Sequence, residues 1–321
     1  MKRIKLRVNP TSQGFAGQAK SKSQKIAYLI AAILFLFIIG IIGTRQFLDS
    51  LFFSKKDRIN VVVYGKDTLF YSFGRTDSVN YFISFFPDIK INVPGGYGKY
   101  RVGGIGRLAF QEKNPMLIQT SFSAVTSATV DLYFYDNSPE IYYGASVIPD
   151  NKITPPSLLS IFFMQSNGNI FDRLFLMLLT AGRSGSQLTP IIYTSLDTDG
   201  EDVLKDRDFG KKYLGYLFNK TFRREQKTVQ IHYSIRARPN NNYRTALTIS
   251  RIIEGDGIRV VDITEDAPRT ECEVYESADI FSQSAKHISA FFGCPLRMRN
   301  VESSDIAVYL GPLEKSWEMV Y

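Results

Sequence analysis

The sequence is poor in the residues that build most metal and redox centres. Its 321 positions hold two cysteines, two histidines and one tryptophan. His232 and His287 have no ligand spacing to each other or to the cysteines, which excludes a zinc-type centre. Acidic residues are absent from the first 25 positions, where Lys2, Arg3, Lys5, Arg7, Lys20, Lys22 and Lys25 lie. The net charge of +8 therefore belongs almost wholly to this tail. A nucleic-acid-binding domain carries its positive charge on the fold, so nucleic acid is not expected as a partner. Familiar ligand motifs are incomplete. GGYGKYRVGG (95–104) has no Lys-Ser/Thr pair after it, so it is not a P-loop. GRSGS (182–186) lacks the last glycine of a nucleophile elbow. SLDTDGEDVLKD (195–206) lacks the first acid and the final glutamate of a calcium loop, and reads as a solvated acidic stretch.

One long apolar run is present, IAYLIAAILFLFIIGIIG (26–43), and no second run matches it. As a helix it spans about 27 Å, close to the hydrocarbon thickness of a bilayer. Every face is apolar, which argues against a core helix. It ends in IIGTRQF rather than in small residues, which argues for an uncleaved anchor over a signal peptide. The cations before it place the tail in the cytoplasm and everything after residue 50 outside. IFDRLFLMLLTAG (170–182) is too short to span and contains Asp172 and Arg173; it reads as an amphipathic helix facing a core.

Beyond the anchor the pattern predicts an α/β (α+β) protein. INVVVYG (59–65), SVNYFISFF (78–86) and DIKINV (88–93) read as strands, and the glycine-rich 93–106 reads as turns. PMLIQTSFSAVTSA (115–128) reads as a helix opened by proline. VDLYFY and EIYYGASV flank the turn signature DNSP and are expected as a hairpin or two consecutive strands. The aromatic stripe Tyr133, Phe134, Tyr135, Tyr142 and Tyr143 reads as packing on both faces of a sheet. Residues 196–225 turn polar and read as a linker. From 226 to 312 the order is β-α-β-β-α-β, ferredoxin-like or a related small domain, with 313–321 as a tail. Cys272 opens a strand there and Cys294 follows the next helix. A helix running back along its strand brings the two together, so a disulfide is expected outside the membrane, two buried thiols being the alternative.

This layout resembles the LytR-CpsA-Psr family of cell-envelope proteins. The anchor (26–48), INVVVYG-x-D and G-R-T-D-S carry the resemblance over 57–195. TVQIHYS, YRTALTISRIIEGDGIRVVDI and DIAVYLG are similar to the LytR C-terminal domain over 226–312. The resemblance implies a membrane-anchored protein facing the wall. Active members transfer a glycopolymer from a polyprenyl pyrophosphate carrier, using magnesium, acids and arginines. Pyrophosphate concentrates negative charge, which planar guanidinium donors and a divalent cation neutralise. Asp67, Arg75 and Asp77 match the family's first motif as catalytic residues, Asp67 and Asp77 as magnesium ligands. They would sit together on the loop after the first strand. The family's arginine-aspartate pair after a strand ending in Ile-Pro is missing. That place reads INVPGGYGKYR, and Lys99, Arg101 and Arg107 are the nearby cations for substrate binding. Two functions follow from this pattern. One is a degenerate factor binding wall polymer, carrier lipid or a partner protein; the other is an active phosphotransferase.

Overall fold

The computed structural model describes residues 16–144, 158–181, 188–193, 203–204, 206–234 and 239–320. The chain divides into two units, Met1–Phe53 and Ser54–Tyr321. The first is built on α1 (Ala16–Leu48). Its stretch Lys25–Leu48 contains an 18-residue window with a mean hydropathy of 2.9 and no buried residue, and is long and apolar enough to cross a membrane.

The second unit begins with a meander of β1 (Arg58–Val63), β2 (Thr68–Gly74) and β3 (Asn80–Phe85). Then come the hairpin β4 (Lys90–Val93) and β5 (Gly98–Arg101), α2 (Val102–Gln111), α3 (Met116–Thr126) and β6 (Leu132–Tyr135). α4 (Leu158–Phe163), β7 (Gln165–Ser166), α5 (Ile170–Thr180), β8 (Leu188–Pro190), α6 (Asp206–Tyr213) and α7 (Lys220–Glu225) complete the first half. The strand order of its sheet is β7-β6-β1-β2-β3-β8. β1 pairs antiparallel with β2 and parallel with β6. Both faces of β1 and β2 are buried, which explains their nearly continuous apolar sequence.

A second sheet follows, made of β9 (Thr228–Ser234), α8 (Pro239–Gly255), β10 (Arg259–Asp266), β11 (Glu273–Glu276), α9 (Gln283–Phe292), β12 (Leu296–Met298), β13 (Ile306–Tyr309) and α10 (Leu313–Ser316). Its order is β10-β9-β13-β11-β12. β9 is flanked by two parallel neighbours, β10 and β13. The expected β-α-β-β-α-β order is present with one extra short strand, β12. The arrangement is not ferredoxin-like, because β10 lies directly beside β9 with no strand interleaved. Cys272 and Cys294 form a disulfide with their Cα atoms 5.2 Å apart.

Four further expectations are corrected. Thr68–Gly74 is not loop but the buried strand β2, paired on both sides. Residues 140–144 form no strand; β6 takes β7, beyond α4, as its antiparallel partner instead, and 145–147 lie outside the described residues. The supposed linker 196–225 is part of the core where it is described. Leu204, Phe209 and Leu217 are buried with the first sheet and Phe222 with the second. The supposed tail 313–321 likewise buries Leu313, Trp317 and Met319 in the second core. The calcium-like loop falls largely, and GRSGS wholly, outside the described residues.

The glycine-rich stretch becomes a hairpin turn followed by a helix. Gly95 and Gly96, both at positive φ, donate their N–H groups to the Glu318 carbonyl at 3.0 Å. Inside α2, a Cβ on Gly106 would meet the Tyr64 ring at 2.2 Å. Glycine is needed there for close packing rather than for a turn. α5 is capped by Asn169 and Asp172, each side chain accepting the other residue's backbone N–H. It buries Phe175, Leu176 and Thr180 but leaves Ile170, Leu174 and Leu178 outside the core.

A Cβ on Gly255, at the end of α8, would stand 1.5 Å from the Ser127 carbonyl oxygen. A main-chain atom cannot rotate away, so Gly255→Ala is expected to destabilise the Ser54–Tyr321 unit by about 2 kcal/mol or more. Gly65 has open space and no positive φ. Gly65→Ala is expected to stay within about 0.5 kcal/mol of the parent. Denaturant melts of the two variants check this.

Candidate functional site

β2 decides where the motif residues go. Asp67 lies in the turn before it, and Arg75 and Asp77 lie in the turn after it. Seven strand residues at about 3.4 Å each put roughly 24 Å between these ends. Asp67 and Asp77 therefore cannot ligate one magnesium ion, whose oxygen ligands sit about 2 Å from it. The expected magnesium site does not fit these residues, and among the described residues no group of three His, Cys, Asp or Glu is placed to hold a metal.

At the far end, Arg75 and Asp77 are committed to the fold. Arg75 Nη1 donates to the Ser54 and Lys56 carbonyls at 2.7 and 3.2 Å, and its guanidinium lies 5.0 Å from the Phe175 ring centre. Asp77 pairs with Arg58 at 3.3 Å and Lys220 at 2.9 Å, and accepts the Val79 N–H at 3.0 Å. Burial would raise the Asp77 carboxyl; Lys220, the Val79 N–H and Arg58 outweigh it and hold the group below the usual carboxylate range. Arg58 itself is buried in β1, donates to Ser72 Oγ and the Val79 carbonyl, and is lowered by desolvation. The sequence motif shows Arg75 and Asp77 but not Arg58 or Lys220, which lie outside it.

Asp67 belongs to the other end, at the carboxyl ends of the parallel pair β1 and β6. Open α/β sheets commonly bind ligands outside such strand ends. Tyr64 at the end of β1 donates from its hydroxyl to the Val102 carbonyl at 3.0 Å, which seats α2 there. The Tyr142 N–H donates to the Gly103 carbonyl, and its hydroxyl to Asp136 at 3.3 Å, just past β6. Three cations approach along the hairpin and α2. Lys99 is exposed on β5, Arg101 precedes α2 and pairs with Asp88 at 3.5 Å, and Arg107 lies 5.7 Å from the Phe110 ring centre. The glycine turn thus leads into a surface that can meet an anionic, partly apolar ligand.

A second polar cluster joins the two sheets. Asp256, just past α8, accepts the Thr129 N–H at 3.0 Å and contacts His287 Nε2 at 2.7 Å. His287 also stacks on Phe222 at 4.6 Å, with Thr129 Oγ1 at 3.3 Å. Lys56 and Asp131 pair beside it at 2.5 Å. Burial lowers the His287 imidazolium and nearby Lys56 adds to this, against the pull of Asp256. Burial would raise Asp256; His287, Lys56 and the Thr129 N–H outweigh it and keep the group ionised. An uncharged imidazole with its proton on Nε2 donates to this carboxylate at that distance. Single residues far apart in the chain build this cluster, so no linear motif announces it.

No family model and no curated protein matches the chain. Solved structures do. The crystal structure of B. subtilis TagV, a LytR-CpsA-Psr family member, is 9% identical over 51% of this chain and 98% of its own, with a TM-score of 0.35. A protein from Eubacterium siraeum described as a transcription regulator is 12% identical over 49% of this chain and 91% of its own, at 0.31. A fragment of Listeria monocytogenes Lmo1026, described as a transcriptional factor, is 11% identical over 75% of this chain and 98% of its own, at 0.20. Scores this low speak to neither activity nor ligand.

The buried pair sets a pH dependence. His287 is lowered in the folded state, so folding favours the unprotonated ring. Its stabilising contribution is complete above the unfolded value near 6.5 and falls as pH drops below it. Asp256 is also lowered, so its contribution is lost only in stronger acid. Denaturant midpoints are expected to fall between pH 7 and 5, and His287→Gln is expected to flatten that fall.

Proposed function

We propose that the chain is a cell-envelope factor of the LytR-CpsA-Psr type that binds its ligand without transferring it. α1 anchors it in the membrane, the basic tail faces the cytoplasm, and Ser54–Tyr321 faces the wall. The ligand is the phosphate-bearing part of a wall glycopolymer or of its polyprenyl carrier, met by Lys99, Arg101 and Arg107 near the carboxyl ends of β1 and β6. The observation that carries this reading is the separation of Asp67 from Arg75 and Asp77 by the whole of β2. Transfer from a pyrophosphate needs cations and a metal gathered on one group of oxygens. Here Asp67 lies at one end of the strand, and the arginine and second acid hold the chain entry and α7 at the other. Binding needs only cations and an apolar surround, and Lys99, Arg101 and Arg107 on the hairpin and α2 support that reading.

Full-length protein in vesicles, supplied with a polyprenyl pyrophosphate and magnesium, is expected to release no phosphate above the protein-free control. It is expected to bind the lipid, and the Arg101→Ala/Arg107→Ala variant to bind about tenfold more weakly. Sustained turnover abolished by Asp67→Asn would instead establish the transferase.

Topology has its own test. Protease added to intact cells is expected to remove an epitope on the Ser54–Tyr321 unit and spare one on the basic tail. Protection of both would place the unit in the cytoplasm.

A further inference from the structure

α4 and α5 form a helical pair whose outer surface is apolar. Phe163 is 77% exposed, Leu178 60%, Ile170 51%, Leu174 42% and Phe162 40%. Ile170, Leu174 and Leu178 are spaced i, i+4, i+8 and make one stripe along α5. The carbonyls at the end of α4 are gathered by a side chain of α5: Arg173 Nη1 donates to Ile161, Phe162 and Met164 at 2.6, 2.9 and 2.9 Å. The guanidinium also lies 5.6 Å from the Phe134 ring centre, which ties the pair to β6. The phenylalanines are therefore presented by a built support. Scattered apolar side chains on a surface need no explanation, but five on two helices joined by one guanidinium mark a contact.

The position of the stripe identifies what it contacts. Arg75 binds the Ser54 and Lys56 carbonyls, where the chain enters the folded unit, and the same guanidinium rests on Phe175 of α5. Phe175 is flanked on the helix by Leu174 and Leu178. The Phe175 ring thus stands within about 10 Å of the Ser54 carbonyl, and the stripe runs along the adjoining positions of the same helix. Only residues 49–53 separate Ser54 from the end of α1 at Leu48. Those residues reach about 20 Å at full extension. We infer that the α4–α5 surface is a second, interfacial membrane contact, with Phe162, Phe163, Ile170, Leu174 and Leu178 seated at the headgroup–hydrocarbon boundary of the bilayer that α1 crosses. Amphipathic helices of this kind bury their apolar face about 5–10 Å into that boundary. The inference rests on the reading of α1 as a membrane anchor.

The test uses full-length protein reconstituted in phosphatidylcholine–phosphatidylglycerol vesicles. Both native cysteines are paired, so single introduced cysteines take an environment-sensitive fluorophore. Labels are placed at Leu36→Cys within α1, at Phe163→Cys and Leu178→Cys on the stripe, and at Ile280→Cys on an exposed loop of the second sheet's half. Spin-labelled lipids then serve as quenchers. Quenching at positions 163 and 178 is expected to exceed that at 280 by about threefold, strongest with spin labels near the headgroup. Position 36 is expected to respond to deep labels. Adding Leu174→Glu to the Phe163→Cys protein is expected to reduce its quenching to the level of position 280. Quenching at 36 with none above the 280 level at 163 and 178 overturns the second contact and leaves the anchor standing. Absence of quenching at 36 overturns the anchor itself and the inference with it.

Discussion

A carboxylate sealed from water holds the two sheets in one unit. Asp256 is nearly inaccessible, and a buried charge is tolerated only when its partners are all in place. They come from different parts of the chain: the Thr129 N–H ahead of β6 and the His287 ring on α9. Its own backbone carbonyl accepts from Asn219 ahead of α7. Around it the main chains are in contact, Gly255 against Ser127, so the seam admits neither a methyl group nor a water layer. Asn219 extends the seam, its side chain capping α7 and meeting the Asp57 N–H. The sheets are therefore not beads on a string. The segment between them, polar in composition, is part of what they share.

This seam explains which features were legible in the sequence. β1 announces itself as a β-branched run ended by Gly65, and β3, α3, α5, α8 and α9 by a local period or a cap, such as Ser282 ahead of α9. β2 does not. TLFYSFG is buried on both faces, so it shows no alternation, and the charged residues at its two ends read naturally as a single loop motif. The segment 196–225 conceals its role in the same way. Leu204, Phe209, Leu217 and Phe222 are spaced irregularly because they serve two cores, and no one period fits them. Trp317 and Met319 are too few to register as an element, yet both are buried.

The candidate site shows the same limit in chemical form. Asp67, Arg75 and Asp77 have the right residue types for pyrophosphate chemistry, and composition alone cannot distinguish a shared pocket from two ends of a strand. Residue type gave no hint that Arg75 spends its donors on main-chain carbonyls, or that Asp77 is the counterion of an arginine buried in β1. The cations of the hairpin and α2 were legible as charge near a glycine-rich stretch. Their setting, against Tyr64 and the carboxyl end of β1, required the glycines to be understood as helix rather than turn.

The order of strands in the second sheet has a consequence for how the protein is made. β13 comes last among the described strands, and it lies at the centre, between β9 and β11. Until it arrives, β9 and β11 have an open slot between them, edged by unpaired backbone N–H and C=O groups. Residues 313–320 then close that core and return to the Gly95–Gly96 turn of the first half. A chain emerging from its amino end can pair β9 with β10 early, but the second sheet is complete only once β13 has joined it. Until then its open strand edges are a hazard for pairing with other chains.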